Sequence, residues 1–225
     1  MSEIIFLTYA DDTYQKRQQN LSARAREFGM YSVSKTREQL AETEFYKIHK
    51  SMMDEKRGGG FWLWKPYFIF SQLLEMKAGD ILLYTDCGDW IDNNPVPFLQ
   101  QRMKDCDMLL TMGGYPNKDW TKRDCFVMMG CDEEKYHDII QVEAGIIIIK
   151  KSFDSMKWVA EWLKWAQNEN ILTDLPNICG KENLPGFRDH RHDQSILTNL
   201  KVKYDIPYSN EIRNHITCNV NESYR

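Results

Sequence analysis

The sequence predicts an α/β domain with a mixed, mostly parallel sheet flanked by helices, and three observations carry that expectation. Short apolar runs bounded by turn-forming residues, at 4–8, 81–85 and 142–149, have the length of buried strands. Segments with helical periodicity alternate with them, the pattern of strands and helices interleaved in one sheet. A chain of 225 residues with 42% hydrophobic content buries one good core, and no internal repeat, low-complexity tract or linker divides it, so one domain is expected over 1–225.

The first strand, 4–8, ends in Tyr9-Ala10-Asp11-Asp12. The Arg-rich segment 13–28 suits a helix closed by Gly29, and 31–34 reads as a second strand. Residues 37–56 are strongly charged with scattered apolar positions, which fits one or two exposed helices. Gly58-Gly59-Gly60 reads as a flexible loop running into Phe61, Trp62 and Trp64. Pro66 suits the first turn of a helix whose apolar face is Tyr67, Phe70, Leu73, Leu74 and Met76. After the central strand, 97–103 is a short helix and 108–112 a strand. Residues 113–135 are expected to be a loop, longer than connections within compact domains usually are. Residues 142–149 return to a buried strand entered through small residues. Phe153, Met156, Val159, Trp162, Leu163 and Ala166 recur at helical spacing, 173–189 is a Pro/Gly/Asn-rich loop, and 193–200 is a helix. The last twenty residues are polar and receive no element.

Net charge of −4 and the lack of a concentrated Lys/Arg block argue against a nucleic-acid partner, since affinity for a phosphate backbone needs a cationic surface. The N-terminus lacks a cationic segment followed by an apolar stretch, and no run of about eighteen apolar residues occurs. A cytoplasmic protein, at most peripheral at the inner face of a membrane, is the expectation. The six cysteines are scattered without a CxxC pair, which suggests neither a zinc knuckle nor a disulfide framework.

The chemistry is expected where the central strand ends. Gly79 to Asp89 (GDILLYTDCGD) closes an apolar run with Asp86 and Asp89, and ligands of open α/β sheets sit beyond such strand ends. In a straight strand these two acids point to opposite faces; Gly88 can adopt angles that swing Asp89 back toward Asp86. One or two carboxylates plus substrate phosphates is a common way of holding Mg2+ or Mn2+, though a turn with two solvated acids has the same pattern. Asp189 to Ser195 (DHRHDQS) packs two His, one Arg and two Asp into five positions, expensive to bury without a ligand or mutual pairing. Arg57 and Lys65 flank the glycine and tryptophan run and offer charge to phosphates. Glu143-Ala144-Gly145 leaves room at a strand mouth, and Trp120 with Arg123 resembles a sugar-binding surface, an aromatic face beside polar neighbours.

The blocks RGGGFWLWKPY, GDILLYTDCGD, VEAGIII and DHRHDQSIL, in this order, resemble a family of small bacterial and viral sugar transferases with the GT-A fold, over about residues 4–205. The resemblance implies a Rossmann-like sheet that binds a nucleotide-diphosphate sugar, with Thr8, Tyr9 and Ala10 against base and ribose. It implies that Asp86 begins the metal-binding motif, that Ala144 and Gly145 seat the donor sugar, and that Asp193 and Gln194 correspond to an Asp-Gln pair near the reacting sugar. The chain departs from the family's Asp-x-Asp, because Gly88 stands two residues after Asp86 and the next acid is Asp89. His215 and His192 are candidates for a further metal ligand.

The function so implied is transfer of a sugar from a nucleotide diphosphate, uridine by expectation, to a hydroxyl of a glycan or glycolipid acceptor in surface polysaccharide or glycoconjugate synthesis. Mn2+ or Mg2+ would sit at Asp86 and Asp89, and Arg57, Lys65, His192 and Gln194 would hold the donor. For an inverting reaction Asp193 is the first choice of base and Glu143 the second; for a retaining one the same acids position the substrates. A noncatalytic sugar-nucleotide or glycan-binding module, and a metal-dependent hydrolase built on His190, His192 and Asp193, stay open on the sequence alone.

Overall fold

A computed structural model describes residues 2–218. Seven strands occur among them: β1 (Ile4–Ala10), β2 (Tyr31–Thr36), β3 (Ile81–Thr85), β4 (Trp90–Ile91), β5 (Met108–Pro116), β6 (Ile140–Lys150) and β7 (Ile216–Thr217). Five form one sheet in the order β2-β1-β3-β6-β5. β1 runs parallel to β2 and β3, while β6 is antiparallel to both β3 and β5, so four strands point one way and β6 returns between them. This is the mixed α/β sheet the sequence predicts.

Helices cover both faces, which is why the central strands are apolar throughout instead of alternating with polar residues. Ile5, Leu7, Leu82, Tyr84, Ile147 and Ile149 face one core with the helices Trp64–Glu75, Phe153–Ala166 and His192–Lys203. Ile4, Phe6, Ile81, Leu83, Ile146 and Ile148 face a second core with Leu21 and Ala25 of the helix Gln15–Glu27 and with Leu99 and Met103. Ser152 opens the helix Phe153–Ala166 with a capping box to Ser155, fixing its start directly after β6.

Four expectations need correction. Residues 113–135 are ordered structure: β5 runs on to Pro116, and a 3-10 turn (Asn117–Asp119) and helices Arg123–Met128 and Glu134–His137 follow. Buried polar side chains hold them, with Asp124 accepting from the Ile178 and Cys179 N–H groups. Of the face expected for the helix Trp64–Glu75 and its cap, Leu73 and Met76 are buried and Tyr67 and Phe70 pack against the core, but Leu74 is exposed; the buried side extends instead over Trp64, Lys65, Phe68, Ile69 and Gln72. Residues 58–62 are no flexible loop; five successive residues, Gly58 through Trp62, take positive φ. The glycines answer to packing: a Cβ on Gly60 would lie 2.7 Å from Met53 Cα, and one on Gly58 would enter the Trp62 ring. Their carbonyls are held by protein donors, Gly58 by Trp64 Nε1 and Gly59 by Arg37. Finally, the polar C-terminal stretch contributes β7, which pairs antiparallel with β4 and brings Cys218 beside the end of β3.

Candidate active site

Beyond the end of β3 lies a cavity of about 380 Å³. The turn from Thr85 folds back through an Asp89 N–H to Asp86 carbonyl bond of 3.0 Å, and the chain's left-handed glycines lie elsewhere, so Gly88 is not what turns Asp89 inward. Opposite it, β6 departs from regular pairing. Leu110 faces Ile147 but the next residue, Thr111, faces Glu143, so Ala144, Gly145 and Ile146 bulge out of the ladder with β5. The bulge gives its Gly145 carbonyl to Asp86 N–H at 2.9 Å. Gly145 also leaves room for the acids: the place its Cβ would occupy is 3.4 Å from Asp86 Oδ2 and 4.0 Å from Asp89 Oδ2. Both carboxylates therefore converge on one small space.

Asp86 is aimed by its other oxygen. Its Oδ1 accepts from the Tyr84 hydroxyl at 2.6 Å and pairs with Lys65 Nζ at 3.0 Å. Lys65 is only 2% exposed, and its ammonium also donates to the Ala144 carbonyl at 3.0 Å and lies 3.6 Å from Asp193 Oδ2. Burial opposes the charge on Lys65, yet Asp86 and Asp193 outweigh it and hold the ammonium above its ordinary pKa. The buried lysine thus ties the β3 acid, the β6 bulge and the helix His192–Lys203 to one point.

Asp193 stands in the first turn of that helix, 3% exposed. Burial pushes its carboxyl up to about 7, Asp86 adds to the rise and Lys65 opposes it. His192 before it holds a left-handed φ of 46°, a strained conformation for a residue with a side chain and one often found at functional sites. The His192 Nδ1 donates to the Leu172 carbonyl at 2.7 Å, and burial keeps the ring neutral. His190 accepts the Lys122 N–H on Nδ1 and donates from Nε2 to the Ile171 carbonyl, with both its nitrogens occupied and its pKa well below the usual range through burial. His190 thus has no nitrogen left for a ligand, while His192 Nε2 lies 3.8 Å from Asp174 Oδ1.

Gln194 is locked by a buried amide relay whose ends are backbone groups. Asn117 Nδ2 donates to the Tyr136 carbonyl, so Asn117 Oδ1 accepts from Gln141 Nε2 at 3.0 Å. Gln141 Oε1 then accepts from Gln194 Nε2 at 2.9 Å, leaving Gln194 Oε1 toward the Ala144 N–H. The order of donors fixes which edge of Gln194 is which.

Of the residues singled out in the sequence, Arg57, Lys65, Asp86, Asp89, Trp120, Glu143, Ala144, Gly145, His192, Asp193 and Gln194 line this one cavity. Arg57 is engaged by Asp174 and Asp189, clasping both ends of the 173–189 segment. Glu143 is ion-paired with Arg213. Thr8, Tyr9 and Ala10 are buried at the end of β1 and outside the cavity lining, Tyr9 stacked on Trp64 with centroids 4.0 Å apart. Arg123 is also outside it and pairs with Asp132 at 3.0 Å. His215 packs on Phe98, away from the lining. Trp62, Asp189, Arg191 and Cys218 line the cavity without having been assigned a role from sequence, and His190 with a role only in the hydrolase alternative, although Asp189, His190 and Arg191 lie in the DHRHDQS block.

Among the described residues no group of three or more His, Cys, Asp or Glu side chains is arranged to hold a metal ion. The donor set at Asp86 and Asp89 nevertheless suits a hard divalent cation that keeps most of its shell from water and ligand oxygens. Five carboxylates face three cationic side chains in the lining. All six cysteines are free thiols, and among the described residues no helix is long and apolar enough to cross a membrane.

No protein-family model matches the chain, and no curated protein matches it in sequence. Among solved structures it aligns with the WbbM bifunctional glycosyltransferase, at a TM-score of 0.50 and 9% identity over 92% of this chain and 39% of that one. It also aligns with the glycosyltransferase GlyE of Streptococcus pneumoniae TIGR4, at 0.48 and 14% over 95% and 47% of the two chains. Mouse xyloside xylosyltransferase 1 aligns at 0.46 and 9% over 92% and 84%. The WbbM likeness establishes the fold, a GT-A-like α/β domain.

Proposed function

We propose that this chain is a glycosyltransferase that moves a sugar from a nucleotide diphosphate, uridine being our choice, to a hydroxyl of a glycan or glycolipid acceptor. What carries the reading is the convergence, in one cavity at the end of β3, of the paired acids, the small-residue bulge, the buried lysine and the Asp193–Gln194 pair.

The reaction separates a diphosphate from a sugar whose anomeric carbon becomes electron-poor. Mn2+ or Mg2+ held by Asp86 and Asp89 would supply Lewis-acid neutralisation of the departing phosphate charge. Lys65 holds Asp86 in place through Oδ1 and leaves Oδ2 toward the cavity; with three acceptors around its ammonium, it acts on the phosphates through Asp86 and the local field. The bulge at Ala144 and Gly145 lets a sugar ring approach backbone, and Gln194 presents an amide of fixed orientation beside it. Asp193 is the better base of the two acids considered, because Glu143 is held by Arg213. With a carboxyl raised to about 7, it accepts a hydroxyl proton far more readily than an ordinary carboxylate does.

This gives a sign to the pH dependence. Below about 7 Asp193 is protonated and cannot take the acceptor's proton, so kcat/KM should fall toward acid and level off above that pH. Asp193→Asn should lower kcat by about 10²–10⁴-fold with donor KM nearly unchanged, and should abolish the acidic limb. Steady-state kinetics between pH 5 and 9 checks this; an equal loss in kcat and donor affinity, or a limb that survives the substitution, makes Asp193 a binding residue instead.

A further inference from the structure

Two of the three cations lining the cavity are already satisfied, Arg57 by Asp174 and Asp189 and Lys65 by Asp86 and Asp193. Arg191 lines the same cavity, and among the described residues it makes no ion pair. Its position is nonetheless fixed. The backbone N–H donates to the Trp120 carbonyl at 3.0 Å. The guanidinium carbon lies 4.3 Å from the Tyr115 ring centroid and 4.5 Å from that of Trp120, and these two rings are themselves in contact, 5.1 Å apart. Aromatic contact covers the face of a guanidinium and leaves its in-plane N–H donors open. Such a residue has already lost the rotamer freedom that a flexible arginine would lose on binding. A planar fork held ready, beside a cavity and without a carboxylate of its own, matches an anionic oxygen pair supplied by a ligand.

We propose that Arg191 is an anion-recognition residue of this cavity, binding a phosphate or carboxylate group of the ligand through paired N–H···O bonds. The inference rests on the cavity being the substrate site. The anion has two possible sources, the diphosphate of the donor or an acidic group on the acceptor.

Titrating the wild type, Arg191→Gln and Arg191→Lys with inorganic pyrophosphate in Mg2+, and separately with D-glucuronate, distinguishes these sources. At least one probe should bind the wild type and bind Arg191→Gln about tenfold or more weakly, with Arg191→Lys between them because an ammonium keeps the charge without the fork. A response to pyrophosphate assigns the donor, and a response to glucuronate assigns an acidic acceptor. Unchanged melting temperature and near-ultraviolet circular dichroism show that the variants are folded. Binding of neither probe by the wild type, or binding by Arg191→Gln within twofold of wild type for both, overturns the proposal. Turnover of nucleotide sugars is measured apart: an Arg191 effect without turnover keeps the anion site and refutes glycosyl transfer.

Discussion

Asp86→Asn is expected to reduce donor turnover by at least about 10²–10³-fold, the range seen when a single electrostatic stabiliser of a transition state is removed. The substitution keeps the size of the side chain and an oxygen for Tyr84 and Lys65, so the fold should survive. What disappears is negative charge at the point where Asp86 and Asp89 converge over Gly145. Nucleotide-diphosphate affinity should therefore fall in Mn2+ and differ little from wild type in EDTA. Calorimetric titration under both conditions, with turnover of the same nucleotide sugar, checks it. Unchanged turnover removes the cation from the account.

Lys65→Met should be the most destabilising single change in the site. The ammonium is fully buried, and its removal leaves Asp193 buried without its cation partner and Asp86 with only the Tyr84 hydroxyl on Oδ1. Breaking a buried ion pair from one side costs about 3–5 kcal/mol, and that is the loss expected at pH 8. The loss should shrink at pH 5. Asp193 has its folded pKa raised to about 7, above the ordinary carboxylate value, so the native state holds more protons than the unfolded one between about 4 and 7. Stability from this group is thus greatest at the acid side of that window and declines as pH rises through it. Without Lys65 the carboxyl is pushed further up and the deficit widens with pH. Urea unfolding at both pH values measures it, and a loss that is the same at pH 5 and pH 8 would show that Asp193 and Lys65 are not coupled.

The parts of the fold that were legible in the sequence are those whose energetics are hydrophobic. β3 and β6 are covered on both faces, so their apolar runs could be read without any partner. Where buried polar groups do the holding, periodicity fails: Lys65 and Gln72 lie on the buried face of their helix, and Asn117, Thr121 and Asp124 anchor the segment that sequence presents as a loop. β4 and β7, two residues each, are too short to carry a pattern. The site divides the same way. Asp86, Lys65, Gly145 and Asp193 sit in recognisable blocks, and the sheet brings the blocks together. Arg191 and Gln141 gain their meaning only in three dimensions, one from two rings it packs over and the other from a chain of amides that begins at Tyr136.

A divalent cation between Asp86, Asp89 and a nucleotide's diphosphate is the arrangement on which the proposed activity depends. Its most direct test is a crystal grown with Mn2+ and whichever nucleoside diphosphate most raises the melting temperature, read by anomalous scattering. The expected result is a manganese peak within bonding distance of Asp86 Oδ2, shared with phosphate oxygens above Gly145. A diphosphate bound in this cavity with no metal beside those carboxylates, or bound away from the end of β3, would contradict it.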